Sequence, residues 1–331
     1  MKRLHLGIIG CGEIARYMVW MAHLVPEVRV VACCADRLER AAAFARRHRI
    51  PRTCADLTEM LARPDIHAVY IAVPHDLHYP MSLAAVEAGK AVLLEKPLAR
   101  TLEEGQALVR ATEGHKVGVN YQYRYDSGCY ALARAVRAGT LGRVHSIRIN
   151  VPWHREAEYF ERSPWHRAIE RAGGGTLITQ GSHFLDIALW ALGEKPASAM
   201  GYTTTPAFDV EVETLAHGVV QTEGGTLISI VSSMVAAREG AVTIEVYGER
   251  GTAVYRNRPF PSVRFIGVRV RREHPPIWGI HALHRSLAAF VRWVLQDTPF
   301  LIPAPEALPV LSAVDGIYRS ARSGQRETII L

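Results

Sequence analysis

Lys96 stands in Glu95-Lys96-Pro97, directly after the apolar run Ala91 to Leu94 that reads as a strand. A lysine can share or lose its proton when desolvated, whereas an arginine effectively cannot. That contrast carries weight because the 39 basic residues comprise 34 arginines and only 5 lysines. A second candidate is the stretch from Gly173-Gly174-Gly175 to His183-Phe184-Leu185-Asp186. At about 100° per residue it predicts a helix with Leu177, Gly181, Phe184, Leu185, Ala188 and Leu192 on one face. Thr179, His183 and Asp186 gather opposite, with Gln180 beside them. Imidazole suits proton transfer near neutrality, and Asp186, one turn on, could orient it or stabilise its charge. A solvated polar face would produce the same pattern, so amphipathicity leaves both readings open.

Two further segments could serve a ligand. Val73-Pro74-His75-Asp76-Leu77-His78 follows another apolar run, at the end of a strand where a doubly wound sheet places its sites. Trp153-His154-Arg155, Tyr159-Phe160 and Trp165-His166-Arg167 combine aromatic and cationic groups. Aromatic faces suit the C–H faces of sugar rings, and arginine suits carboxylate or phosphate. A packed loop with ordinary surface arginines is the competing account.

The elements that must position these residues start at the N-terminus. Leu4 to Ile9 reads as a buried strand, and a helix opens at Glu13. Between them lies G-x-G-x-x-A, with Gly10, Gly12 and Ala15, the turn that brings a helix N-terminus to a dinucleotide pyrophosphate. A second apolar run, Val28 to Cys34, leads to Asp36, an acid placed to bind the adenosine ribose hydroxyls. Helices over Arg37 to Arg47, Leu57 to Ala62 and Leu77 to Ala88 then alternate with strands over Ala68 to Val73, Ala91 to Leu94 and Val117 to Val119. Thr101 and Glu104 form a capping box. This alternation predicts a parallel sheet with helices on both faces.

The pattern changes near Tyr121 to Asp126. After a helix from Ser127 to Ala138, Val144 to Trp153 alternates in period two, placing His145, Ile147, Ile149, Val151 and Trp153 on one face. Strand-like runs cover Thr214 to Thr222, Thr226 to Val235, Val242 to Tyr247 and Ala253 to Tyr255, and Glu223-Gly224-Gly225 signals a hairpin. The expectation is an antiparallel sheet, with a helix from His281 to Leu295 packing back toward the first domain. The expected domains are residues 1–122, which bind dinucleotide, and residues 123–331, which bind substrate and oligomerise.

Composition narrows the function classes. At 49% hydrophobic and 21% charged, the chain is an ordinary globular protein. The net charge of +7 comes from scattered basic residues without interleaved aromatics, so neither nucleic acid nor membrane is an expected partner. No apolar run approaches the roughly 18 residues of a membrane span. Met1-Lys2-Arg3 runs straight into the first strand, leaving no room for a signal peptide. The 5 cysteines show no metal-type spacing, and their odd number suits reduced thiols in a cytoplasm.

Taken together, the G-x-G-x-x-A turn, the V-P-x-x-x-H segment, Glu95-Lys96-Pro97 and the glycine-rich run to His183-x-x-Asp186 resemble the Gfo/Idh/MocA oxidoreductases. The resemblance extends through Ile244-x-Val246-x-Gly248-x-x-Gly251 and Ile317-Tyr318-x-Ser320-Ala321. It implies an α/β fold: a Rossmann doubly wound parallel sheet, then an α/β domain with a large open, mostly antiparallel sheet that often forms oligomer contacts. A homodimer or homotetramer is therefore expected.

The resemblance also implies roles. NAD, with NADP possible, would lie along Gly10, Gly12, Glu13, Ile14, Asp36, Arg37, Val73, Pro74, His75, His78, Glu95, Lys96 and Gln122. A carbohydrate-type substrate would meet Lys96, Arg124, Arg155, Tyr159, Trp165, Thr179, Gln180 and His183. Lys96 would polarise the reacting hydroxyl, and His183 would act as general base. Thr179 stands where many members carry a catalytic Asp, and His75 where many carry Asn. The Q-G-x-H variant is similar to the nucleotide-sugar and glycoside dehydrogenase branches. An NAD-using glycosidase-like lyase with transient oxidation stays open. A non-catalytic nucleotide sensor is also conceivable, but it would have no use for an acid–base pair.

Overall fold

The computed structural model describes residues 3–331; Met1 and Lys2, which enter the signal-peptide expectation, lie outside them. Contacts divide the chain into two compact units. The first comprises residues 1–99, 103–122 and 277–306, and the second comprises 100–102, 123–276 and 307–331.

The first unit opens with β1 (Leu4–Ile9), α1 (Glu13–Ala22), β2 (Val28–Cys34), α2 (Leu38–His48), β3 (Thr53–Cys54) and α3 (Leu57–Leu61). It continues with β4 (Ala68–Ile71), α4 (His78–Glu87), β5 (Ala91–Leu94), α5 (Leu102–Ala111) and β6 (Val117–Val119). The six strands form one parallel sheet in the order β3-β2-β1-β4-β5-β6. Burial on both faces explains why β4 and β5 read as unbroken apolar runs rather than alternating ones. The order reverses between β1 and β4, the switch point beyond whose carboxyl ends doubly wound sheets bind their ligands.

The second unit contains α6 (Ser127–Arg137), β7 (Val144–Pro152), α7 (Ala157–Arg162), α8 (Ile169–Ala172) and α9 (Ser182–Leu192). Strands β8 (Pro196–Thr204), β9 (Leu215–Thr222), β10 (Leu227–Ser233), β11 (Thr243–Gly248), β12 (Thr252–Arg256) and β13 (Ser262–Ile266) follow. The chain then returns to the first unit as α10 (Ala282–Gln296), which packs on α1. It ends in the second unit with α11 (Leu308–Ser323) and β14 (Glu327–Thr328).

The eight-stranded sheet runs β13-β12-β11-β7-β10-β9-β8-β14. Every pair is antiparallel except β7 with β10, so the expected antiparallel sheet holds one parallel ladder. Helices α6, α9 and α11 cover one face. The other leaves Met200, Tyr202, Val219 and Leu227 exposed. His145 departs from its expected face: a register shift opposite Tyr247/Gly248 turns Val144 inward and leaves His145 exposed.

β8 carries little apolar alternation, because Gly201 and Gly218 leave room for Ile317 of α11; a Cβ on either would lie 2.6 Å from that side chain. Among the described residues no helix is long and apolar enough to cross a membrane.

Candidate active site

The turn after β1 has the shape of a phosphate cradle. Gly10 adopts φ +92°, and a Cβ there would meet the Ala72 carbonyl oxygen at 2.1 Å. Only glycine combines that conformation with that approach. Gly12 is the N-cap of α1, with no side-chain cap, and a Cβ built on it meets nothing within 4 Å. The N-terminus of α1 thus has no side-chain cap and has room beside Gly12, which fits a pyrophosphate. Glu13 and Ile14 begin that helix, Glu13 exposed beside Arg16 and Ile14 half-exposed. Past β2, Asp36 is exposed and pairs with Arg40 at 3.3 Å. Such a surface pair is weak and leaves the carboxylate available to ribose hydroxyls. Arg37 caps α2 next to it. These residues fit NAD.

Two of the histidines expected along the cofactor also hold the fold together. His78 is fully buried, with Nδ1 at 2.8 Å from the Pro97 oxygen and Nε2 at 3.1 Å from the Val73 oxygen. It ties the loop after β4, with Val73 and Pro74, to the loop after β5, with Lys96. His75 is also buried, its ring 5.3 Å from that of His78. Both histidines pack within this turn.

Burial pulls the His78 pKa down to about 4, outweighing its two carbonyl neighbours. An unfolded imidazole titrates near 6.5, so below that pH the unfolded chain binds the extra proton and folding weakens as pH falls toward 4. Across that window His78 should remove about 3 kcal/mol of stability. Urea unfolding at stepped pH checks this: His78→Gln should be less stable at neutrality but lose less on acidification. An identical pH slope in both proteins would refute it.

Glu95 is likewise engaged within the fold. Its buried carboxylate accepts from the Tyr70 hydroxyl, from Asn120 Nδ2 at 2.6 Å and from the Lys96 amide at 3.3 Å. Ser286 Oγ in turn donates to Asn120 Oδ1 at 2.8 Å. Burial pushes the Glu95 carboxyl up, and the Lys96 charge partly offsets that. The network fixes the backbone from which the half-buried Lys96 projects. Gln122, just beyond β6, keeps a buried Oε1 with no partner among the described residues, as a cofactor contact would require.

In the second unit the glycine run is a close-packing device. A Cβ on Gly174 would lie 2.2 Å from Tyr318 Oη, and one on Gly175 would lie 1.8 Å from the Glu213 carbonyl oxygen. The buried Glu213 carboxylate accepts from Gly175 N at 2.6 Å, Leu177 N at 2.9 Å and Tyr318 Oη at 2.8 Å. It thereby caps the helical segment that carries Thr179 and His183. Neither Glu213 nor Tyr318 was identifiable as a site residue, because both partners lie far away in sequence. Residues Leu177–Gly181 form a π-helical turn leading into α9.

The alternative of a solvated polar face does not hold, since Thr179, Gln180, His183 and Asp186 are all buried. Thr179 Oγ1 donates to the Gly175 oxygen at 2.6 Å, so its proton is held by the backbone. Gln180 Oε1 accepts from Thr176 Oγ1 at 3.1 Å, while its Nε2 finds no acceptor among the described residues. His183 meets the Tyr123 ring edge-on at 5.1 Å. Asp186 takes Arg124 in a two-pronged ion pair, Nε to Oδ2 at 2.9 Å and Nη2 to Oδ1 at 2.8 Å. Arg124 is 2% exposed and also lies over Trp190. It anchors α9 through that ion pair.

Arg155, Tyr159 and Trp165 come together in one cluster. Arg155 lies over the Trp153 and Tyr159 rings, Tyr159 stacks on His166, and His166 stacks on Trp165.

Comparison with known proteins agrees with this geometry. Residues 4–123 match an oxidoreductase family with an NAD-binding Rossmann fold, and residues 130–254 match a GFO/IDH/MocA C-terminal domain. The 1,5-anhydro-D-fructose reductase of Ensifer adhaerens is 30% identical over 258 residues, spanning 76% of this chain and 75% of that one. The levoglucosan dehydrogenase of Pseudarthrobacter phenanthrenivorans is 28% identical, spanning 77% and 74%. The crystal structure of the WlbA dehydrogenase from Bordetella pertussis, in complex with NADH and UDP-GlcNAcA, covers 100% of both chains at 26% identity with a TM-score of 0.88.

Proposed function

This chain belongs to the GFO/IDH/MocA family of NAD-binding oxidoreductases, and we propose that it is an NAD-dependent dehydrogenase of a sugar derivative. The observation that carries the substrate side is the pairing of Gln180 and His183. They stand three residues apart on one buried helical segment, and the Gln180 amide nitrogen has no acceptor among the described residues. An unmet buried donor costs about 1–3 kcal/mol, which a substrate oxygen would relieve. The relative solved with UDP-GlcNAcA, together with the Gln180-Gly181-Ser182-His183 variant, supports a nucleotide sugar or glycoside.

Bound NAD supplies a hydride acceptor at its nicotinamide ring. Lys96 and His183 serve one substrate hydroxyl. The ammonium of Lys96 stabilises the oxygen as it loses its proton, and an imidazole nitrogen of His183 takes that proton. The electron pair of the adjacent C–H bond leaves as hydride. In the reducing direction His183 returns the proton. Gln180 orients the ring by donating to a neighbouring hydroxyl oxygen.

Asp36 makes NAD(H) the preferred cofactor, because its carboxylate accepts ribose hydroxyls and repels a 2′-phosphate. Arg37 allows some use of NADP(H). Fluorescence titration tests this: NADH should bind more tightly than NADPH, and Asp36→Ala should narrow the difference. Tighter NADPH binding by the natural protein would reject the assignment. The exposed sheet face with Met200, Tyr202, Val219 and Leu227 suits an isologous contact with a second copy. A monomer mass by light scattering at micromolar concentration would exclude that.

A further inference from the structure

Arg155 is held in place without being neutralised. Its guanidinium carbon lies 5.2 Å from the Trp153 ring centroid and 5.3 Å from that of Tyr159. Tyr159 is fixed in turn by His166, through a ring contact at 4.5 Å and a hydroxyl hydrogen bond to Nδ1 at 3.1 Å. Nη1 of Arg155 donates to the His154 carbonyl oxygen at 2.8 Å. Rings and carbonyls orient a guanidinium but leave its full charge.

Several other arginines of the second unit differ. Arg162 pairs with Glu158, Arg134 with Glu273 and Arg124 with Asp186. Among the described residues Arg155 pairs with no carboxylate, and its Nε and Nη2 make no hydrogen bond. Its backbone places it near the helical segment already described. Arg155 N donates to the Met234 oxygen at 2.8 Å, where β7 and β10 end side by side. At that same end Ser232 Oγ meets Thr176 Oγ1 at 2.8 Å, beneath the turn that carries Gln180.

We infer that Arg155 receives an oxyanion, the carboxylate of a sugar acid or a phosphate on the sugar, so that the substrate is an anionic rather than a neutral carbohydrate. This rests on the dehydrogenase reading only in making the anion part of the substrate. A half-buried, pre-oriented guanidinium with a free two-pronged edge matches the planar geometry of such groups.

NAD reduction with glucuronate against glucuronamide, and with glucose 6-phosphate against glucose, separates charge from shape and carboxylate from phosphate. At least one anionic probe should exceed its neutral partner in kcat/KM by roughly 10- to 100-fold. Arg155→Met should collapse that ratio, mainly through KM, and Arg155→Lys should restore part of it. Preference for the neutral partners, or equal losses on both in Arg155→Met, would overturn the inference. Calorimetry of glucuronate and inorganic phosphate with the NADH-loaded protein gives a readout independent of turnover. Binding that disappears in Arg155→Met supports the anion site even if no probe is oxidised, a result that would count against the dehydrogenase reading alone. Failure of both anions to bind the natural protein would reject the anion site.

Discussion

Replacing Lys96 or His183 by alanine is expected to lower turnover by about 10²- to 10⁴-fold, the usual range for a positioned acid–base group. NADH affinity should stay nearly unchanged in the His183 variant, because His183 belongs to the second unit and the dinucleotide cradle to the first. Lys96 follows β5 at the carboxyl end of the parallel sheet, so its loss should act on kcat more than on cofactor affinity. If both groups serve one oxygen, the double variant should lose less than the product of the single effects. His183 is buried against Tyr123, so thermal unfolding of each variant must accompany the kinetics. Near-normal turnover by His183→Ala between about pH 6 and 9, with a deuterium effect showing hydride transfer to be limiting, would remove His183 from the proposed chemistry.

Asp186→Ala should be the most destabilising single change in the second unit. The Arg124 and Asp186 side chains are 3% and 1% exposed, so neither charge has water to fall back on. Removing one partner of such a pair costs about 3–5 kcal/mol, because the other is left charged in a low-dielectric interior. The surviving guanidinium would still lie over the Trp190 ring, a contact worth far less than a carboxylate. Urea unfolding measures the loss. The paired change Arg124→Met with Asp186→Leu should recover most of it, since both charges then leave together. A loss below about 1 kcal/mol for Asp186→Ala would mean that the pair does not anchor α9.

The parallel sheet was the most legible part of the molecule. Its strands are buried on both faces, so β5 and β6 appear as apolar runs at the residues where they were expected. Strands β8 and β13 and helix α11 went unread. β8 is built from Pro, Ala, Ser and Gly, whose local preference for a strand is weak. It is a strand because β9 and β14 pair with it and α11 presses Ile317 into its glycines.

The candidate site divides along the same line. Glycine spacing, the acid after β2, the lysine at a strand end and the histidine after a glycine run are local signals, legible because each chemistry demands a particular residue type at a short interval. Whether a polar residue in that pattern faces ligand or supports the fold depends on partners far along the chain. His78 became a brace through the Pro97 and Val73 carbonyls, Glu95 through Tyr70 and Asn120, and Arg124 through Asp186. The glycines at 173–175 looked like freedom for a loop, and the tertiary structure made them room for Tyr318 and Glu213. The sequence alone therefore determined the fold class, the cofactor-binding turn and the family. Only the folded chain decided which of its polar groups are consumed internally, because burial forces each one to find a partner and distance in sequence says nothing of which partner that is.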